Sequence, residues 1–411
     1  MQTILYEDDR HGDFGPPTLL RSEFDLLCGG LALREKLERR WSGDTVALLA
    51  RPGLREVSDE RHPGRGIESI GDEPTLFLSG RVVVDDLLLS TVREIGREAL
   101  LSSGGEVIGA VVEASVPDRA AEFADCGADT RALSIGERSE VPARLVARPW
   151  DLVRIAAEEI ARDAKLVSRY GEIAGTVHEG AYLIEPARIS VGEGSAVSPG
   201  AVLDASEGPV IIGGGATVMA NAVVVGPAWI GDGTIVKAGA RIYGGCAIGP
   251  VCKVGGEIEG SVFQGWSNKQ HEGFLGHSCV GSWVNLGAAT DTSDLKNNYA
   301  SVRVRMGGTT IDTGSAFVGA TIGDHTKTAI GTKLNTGTVL GAFCNIVSAG
   351  FPPKYVPSFS WITPEAVVEY ELGKALETAR LVMGRRAVEM SAAEEALVRS
   401  LFESSRPERS A

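Results

Sequence analysis

Of the six histidines in this chain of 411 residues, three, His271, His277 and His325, fall in its second half. An imidazole with an ordinary pKa near ~6.5 accepts and returns protons at neutral pH. Three neutral imidazoles and a water also make a catalytic zinc site. Around the first of them runs Lys269-Gln270-His271-Glu272-Gly273-Phe274-Leu275-Gly276, followed by Asn285-Leu286-Gly287-Ala288 and then Asn298-Tyr299. Cys246, Cys252 and Cys344 lack the spacing of zinc ligands, and their surroundings mark them as small core residues.

These residues belong to a repeat. Ile212, Val218, Val224, Ile230, Val236, Ile242, Ile248 and Val254 are aliphatic and six apart, and small residues, among them Ala216, Ala222, Ala228, Ala240, Cys246 and Cys252, stand two positions before them. Six is the period of neither a strand nor a helix, so each hexad reads as one short strand plus a turn. The period starts at Val191, Val197 and Leu203 and slips by three before Ile212. It resumes at Phe274, Val280 and Leu286, and again at Ile322, Thr328, Leu334, Leu340 and Ile346. Glycine marks the same region: 34 of the 52 fall between 171 and 350, where tight corners use conformations closed to other residues. Between Leu286 and Ala316 the register lapses and a long loop is expected, the kind of segment that carries function on a rigid scaffold.

The hexads resemble the left-handed parallel β-helix of the hexapeptide-repeat acyltransferases. The run His271-x-x-Phe274-Leu275-Gly276, with Asn285-Leu286-Gly287-Ala288 and Asn298-Tyr299, is similar to the bifunctional N-acetylglucosamine-1-phosphate uridyltransferase / glucosamine-1-phosphate N-acetyltransferase family. The resemblance implies acetyl-CoA as cosubstrate and an amino sugar 1-phosphate, glucosamine 1-phosphate first, as acceptor. It implies His271 as the general base, Asn285, Asn298, Tyr299, Lys269 and Glu257 around the acceptor, and Ala288, Thr326 and Lys354 along acetyl-CoA. It also implies a homotrimer with sites between neighbouring chains. Two departures stand out. Glu257-Ile258-Glu259 has an acid where the family has a phosphate-binding Lys, leaving Lys253, Lys269, Arg303 or Arg305 to supply the cation, and Phe274 replaces a Tyr.

Ahead of the repeat, residues 1–150 read as α/β, with apolar runs at Ile4–Tyr6, Val46–Ala50, Leu76–Leu78 and Val107–Val112 suited to buried strands, and the family resemblance implies that this is a Rossmann-like nucleotidyltransferase domain. Residues 151–170 read as a linker helix, 171–362 as the β-helix, and 363–411 as a helical segment starting at Thr363-Pro364-Glu365 and covering the open end. The family's Gly-rich phosphate loop is absent after Tyr6. The similarity to its downstream part implies Arg21, Gly29, Arg34 and Lys36 as nucleotide-binding residues, with UTP or dTTP as nucleotide. Arg81 stands where the family has a Mg²⁺-binding Asp, which leaves Asp85 or Asp86 to hold Mg²⁺ if this domain is active.

A net charge of −14 without a Lys/Arg cluster argues against nucleic acid and against an anionic membrane as partners. The uncharged stretch Gly208–Gly231 is broken by glycines and prolines and keeps the six-residue spacing, unlike a membrane span. An acidic N-terminus and unpatterned cysteines give the expectation of a cytoplasmic protein with reduced thiols. Two other readings stand beside the transferase. One is a γ-type carbonic anhydrase-like site on His271, His277 and His325; the other is a non-catalytic or regulatory protein descended from a transferase.

Overall fold

The computed structural model describes residues 2–41, 45–167, 170–348 and 350–409. The chain divides into two compact units: 1–14, 20–26 and 32–147 form the first, and 15–19, 27–31 and 148–411 the second.

In the first unit, strands β1 (Gln2–Tyr6), β2 (Val46–Leu49), β3 (Thr75–Ser79), β4 (Ala99–Ser103), β5 (Glu106–Val112) and β6 (Arg138–Glu140) form one sheet in the order β2-β1-β3-β5-β4-β6. The apolar runs of β1, β2, β3 and β5 are buried on both faces, as in a sheet covered by helices, while the edge strand β6 is largely exposed. Helices α1 (Leu33–Arg40), α2 (Arg55–Arg61), α3 (Asp86–Ile95) and α4 (Val116–Asp125) complete the unit. Phe123 of α4 meets Tyr6 and Phe77 edge-on, with ring centroids 4.9 and 5.2 Å apart. Because β1 runs parallel to both β2 and β3, the C-terminal ends of all three reach one edge. There the chain continues into Glu7-Asp8, Arg51 and Gly80-Arg81.

The second unit opens with α5 (Pro149–Leu166), whose first turn carries a proline and whose Asp151 side chain accepts the Arg148 N–H at 3.0 Å. Residues 168 and 169, at the end of the expected linker, lie outside the described residues. A parallel β-solenoid follows, of three sheets whose strands recur coil after coil. The first two have six strands each, Thr176–Val177 to Asn268–Lys269 and Tyr182–Ile184 to Phe274–Gly276; the third has nine, Ile189–Val191 to Tyr355–Val356. The aliphatic series lines the interior: Ile212 to Val254 at six-residue steps are all at most 1% exposed. Each coil repeats at eighteen residues where three full hexads stack, as from Ile212 to Ile230 to Ile248 in register.

Three expectations are corrected. The period resumes at Leu275, not Phe274. Phe274 pairs with Glu257 on the outer side of the second sheet while Leu275 is fully buried, because the intervening turns are shorter than six residues. The long loop between Leu286 and Ala316 is structured. Asp291–Thr292 pairs with Lys333–Leu334, and Arg303–Met306 forms a hairpin with Thr309–Asp312 through Gly307 and Gly308, both at positive φ. Val302, Val304 and Met306 pack with Trp150, Val318 and Val339. Thr363-Pro364-Glu365 is a hairpin turn, not a helix start: the Thr363 N–H donates to Ala366 O, and Val367–Glu369 adds antiparallel to Ser360–Ile362. This added strand covers the last edge of the solenoid, and helices α6 (Leu372–Gly384) and α7 (Ala392–Ser404) follow.

The glycines after the aliphatic positions serve close approach between coils. A Cβ on Gly231 would lie 2.6 Å from the Gly249 carbonyl carbon. Left-handed backbone falls two residues later, at Gly233 with φ +64°.

Candidate functional site

His271 sits at the corner between the first and second sheets, between Asn268–Lys269 and Phe274–Gly276, with its side chain exposed. Its backbone is fixed from inside the solenoid. Lys269 pairs in register with Val254 and so occupies an interior, otherwise aliphatic position, 2% exposed. Its Nζ donates to His271 O at 2.7 Å and to Gly255 O at 3.2 Å. Burial lowers this ammonium from 10.5 to about 8. Lys269 is therefore a tether for the His271 turn, pointing away from any ligand outside. Gly256, at φ +70°, lies beneath the same turn, where a Cβ would meet His271 O at 2.7 Å and Gly273 O at 2.8 Å.

The cation beside Glu257 is one that the sequence reading did not consider. Arg241 lies one coil earlier, paired with Glu257 in the parallel ladder. Its guanidinium is 3.6 Å from Glu257 and 3.2 Å from Glu272. Sixteen positions separate Arg241 from Glu257 along the chain, and only the coil repeat brings them together.

Asn285 and Ala288 join the same corner. Asn285 accepts from the Asn268 amide at 3.3 Å, and the Leu286 N–H donates to Asn268 O. Ala288 stands between Gly287, whose N–H reaches Thr328 Oγ1, and Ala289, whose N–H reaches Glu272 O. Asn298 and Tyr299 are held by local turns: Asn298 Oδ1 accepts the Ala300 N–H, and Tyr299, 75% exposed, donates its N–H to Lys296 O. Thr326 points into the solenoid, its hydroxyl on Gly341 O, so the neighbouring Lys327 is the residue that faces outward. Lys354 is exposed, its amine lowered by burial and by Lys296.

His277 has a different setting. Its Nδ1 lies 2.7 Å from Asp294 Oδ2, and its ring is 5.2 Å from Phe317. The ring lies over Gly260, whose missing side chain leaves room for it. A carboxylate on one ring nitrogen fixes the tautomer and leaves the other as acceptor. His277 lines a cleft of about 960 Å³ with Tyr243, Glu257, Glu259, Arg154 and Phe317. His325 stacks between Trp283 and Phe343, at 6.2 and 4.6 Å. The three imidazoles thus have three separate settings, and among the described residues no group of three or more metal-ligating side chains gathers. Within one chain the three imidazoles therefore do not form the shared site that the carbonic anhydrase-like reading expects of them.

In the first unit the residues expected to bind nucleotide are dispersed. Arg34 is paired with Asp25 at 2.7 Å and Glu38 at 3.1 Å, and Lys36 is fully buried. Arg21 lies half-buried just after the Gly15–Leu19 segment. Gly29 lies in the 27–31 segment of the second unit, where the N–H groups of Gly30 and Leu31 donate to Asp163 of α5. The charged centre lies instead at the edge fed by β1, β2 and β3. Arg81, 1% exposed, donates to Asp8 at 2.8 and 3.0 Å and also pairs with Glu106. Glu7 pairs with Arg51, and Glu23 accepts the Asp8 N–H at 3.0 Å. Burial, then the nearby Asp8 and Glu7, push the Glu23 carboxyl well above its usual range.

This arrangement does not fit a divalent cation on Asp85 or Asp86. Asp85 caps α3 by accepting the Leu88 N–H at 2.9 Å, Asp86 is 91% exposed beside Arg40, and the position after β3 is filled by a guanidinium already neutralising two carboxylates.

Comparison with known proteins adds to this geometry. Residues 3–170 match the sugar nucleotidyl transferase family. A bifunctional sugar-1-phosphate nucleotidylyltransferase/acetyltransferase from Sulfurisphaera tokodaii is 32% identical over 90 residues, 22% of each chain. A bifunctional protein GlmU from Methanococcus vannielii is 33% identical over 94 residues, 21% of this chain and 22% of that one. The matched region spans about a fifth of the length of these curated relatives. Both relatives are transferases by name. Among solved structures, an Arabidopsis UDP-N-acetylglucosamine acyltransferase matches over 52% of this chain and 78% of its own at 15% identity and a TM-score of 0.22. A perosamine N-acetyltransferase from Caulobacter crescentus, in complex with CoA and GDP-perosamine, matches over 90% and 96% at 15% identity and a TM-score of 0.15. Among the described residues no helix is long and apolar enough to cross a membrane.

Proposed function

We propose that the chain is a sugar-nucleotide biosynthesis enzyme whose solenoid transfers an acetyl group from acetyl-CoA to the amine of an amino sugar 1-phosphate, glucosamine 1-phosphate first. The observation that carries this reading is the His271 corner: an exposed imidazole on a backbone clamped from within by Lys269, beside Arg241, Glu257 and Glu272. An amino sugar is largely ammonium at neutral pH. His271 removes one ammonium proton, the freed amine adds to the thioester carbonyl to form the C–N bond, the C–S bond breaks, and the second proton lost by the nitrogen passes to the departing thiolate, giving the neutral amide and the CoA thiol. Arg241 faces the sugar phosphate, and Glu257 and Glu272 hold its guanidinium in place. A trimer brings a second chain against this exposed corner.

A second reading of the base rests on one contact. His277 is oriented by Asp294 inside a cleft, the arrangement expected of a positioned base. Comparing His271→Ala with His277→Ala in acetyl transfer decides between them: the variant that loses activity with acetyl-CoA binding retained names the base.

For the first unit we propose sugar nucleotidyl transfer, UTP and N-acetylglucosamine 1-phosphate giving UDP-N-acetylglucosamine, supported by the family match over 3–170. Incubation with UTP or dTTP and the sugar 1-phosphate, with and without Mg²⁺, tests it through release of pyrophosphate. No release under any of these conditions leaves this unit a non-catalytic domain of the enzyme.

A further inference from the structure

The outer side of the third sheet carries one column of residues that stand above one another on successive coils: Ser190, Ile211, Trp229, Ala247, Val262 and Cys279, paired in register. Helix α5 packs across the strands of the last four, and every member after Ser190 is apolar, as a covered face requires. Ser190 faces outward because its neighbours Ile189 and Val191 belong to the interior. It is 2% exposed, and its hydroxyl oxygen has no hydrogen-bond partner among the described residues. A buried hydroxyl in that state calls for a ligand.

Where α5 ends, at Val167, a cavity of about 250 Å³ opens beside Ser190, lined also by Glu172, Ala174, Gly192 and Glu193. Its charged lining residues are two carboxylates, and among the described residues no Lys, Arg or His lines it. The last turn of this 18-residue helix adds carbonyls that lack intrahelical partners and the negative end of the helix dipole. The backbone donors of the wall are already engaged: the Val191 N–H donates to Glu172 O and the Ala174 N–H to Val191 O, both at 2.8 Å, and the Gly192 N–H donates to Ile212 O at 2.8 Å. A Cβ on Gly175 would lie 2.5 Å from Gly192 O, so glycine lets the 172–175 segment lie against the first coil. The cavity thus offers oxygen from several directions and no counter-charge.

We propose that this cavity binds a hard divalent cation, calcium before magnesium, on the carboxylates of Glu172 and Glu193, the hydroxyl of Ser190 and the carbonyl end of α5, with water completing its shell. An all-oxygen set without nitrogen or sulfur suits a hard ion. Calcium takes six to eight oxygens in an adaptable geometry, whereas magnesium demands a near-octahedral one, and ligands drawn from a helix end, a loop and a strand suit the first. Bound there, the ion ties the end of α5 to the first coil of the solenoid. The inference goes beyond the acetyl-transfer reading and does not need it.

The test is titration calorimetry of the full chain, freed of metal by a chelator and then given calcium chloride or magnesium chloride, with thermal unfolding under the same conditions. Calcium is expected to bind more tightly than magnesium and to raise the unfolding midpoint, and potassium chloride at equal ionic strength to do neither. Glu172→Gln and Glu193→Gln, both at exposed positions, should each weaken calcium about tenfold, and Ser190→Ala should weaken it while leaving the metal-free midpoint no lower. Absence of calcium binding at millimolar concentration overturns the proposal. So does calcium whose affinity is the same in all three variants, since it then sits elsewhere, and so does a midpoint shift that potassium chloride reproduces, since that is screening. Magnesium binding more tightly than calcium overturns the choice of ion. If acetyl transfer fails in the wild type while calcium binds, the transferase reading falls and the cation site stands.

Discussion

Replacing Lys269 by Met separates the two consequences of putting an ammonium inside an aliphatic stack. Burial lowers Lys269 from 10.5 to about 8, a difference worth roughly 3 kcal/mol. The sign follows from proton counting. Between pH 8 and 10.5 the unfolded chain keeps a proton that the folded chain has released, so folded-state stability rises with pH across that window. Below pH 8 both states hold the proton, and the folded state bears the full cost of burying it. Between pH 7 and 9.5 the Lys269 contribution is expected to grow by about 2 kcal/mol in the wild type and to be absent in Lys269→Met. Other groups titrate in the same range, but they are shared, so the difference between the two proteins isolates this one. Urea unfolding at pH 7 and pH 9.5 measures it. The variant should be at least as stable as the wild type at pH 7 and lose that relative advantage at pH 9.5. It should also lose acetyl-transfer rate at both pH values, because Met cannot hold His271 O. Parallel pH dependences in the two proteins would refute the inward lysine, as would full activity in the variant refute the tether.

Other consequences are more local. Gly256→Ala places a methyl against His271 O and Gly273 O at a left-handed position; a loss of about 1–3 kcal/mol in urea unfolding is expected, and a neutral result would contradict the close stacking of these coils. Arg81→Met leaves Asp8 and Glu106 facing one another without their shared cation, so thermal unfolding should show destabilisation on the order of 3–5 kcal/mol, relieved as the pH falls and the carboxylates protonate. Native-state titration with a chromogenic disulfide at pH 8 should modify Cys126 rapidly. Cys246, Cys252 and Cys344 should stay protected, their thiols pushed to about 12 by burial; fast reaction of all six would contradict the packed interior.

The solenoid was readable because its signal is local and repeated. Each aliphatic from Ile212 to Val254 predicts the next, and all line the interior. Reading failed where the coil departs from six residues per side. The shortened turns after Val254 moved the inward position from Phe274 to Leu275 and put Lys269 inside. The same alternation decides between neighbours: Thr326 faces in and Lys327 faces out, although both are polar. Arg241 was missed because its partner Glu257 is a coil away, a relation set by the length of the turn and not by any motif. The Gly307-Gly308 pair was a legible hairpin signal inside a segment read as loop. In the first unit four of the six strands were plain from their apolar runs, whereas Ala99–Ser103 was not read and Arg138–Glu140 has no apolar run to read. The ion pairs of Arg34 and Arg81, by contrast, depend on contacts up to 73 residues apart that composition does not reveal.

The most direct test of the central claim follows release of the CoA thiol, together with mass detection of the N-acetylated sugar, from acetyl-CoA and glucosamine 1-phosphate. Wild type, His271→Ala and His277→Ala are compared under the same conditions. The account predicts turnover in the wild type and a fall of at least ~100-fold in one histidine variant that still binds acetyl-CoA. Wild-type turnover that neither substitution affects, or no product with any amino sugar 1-phosphate, would contradict it.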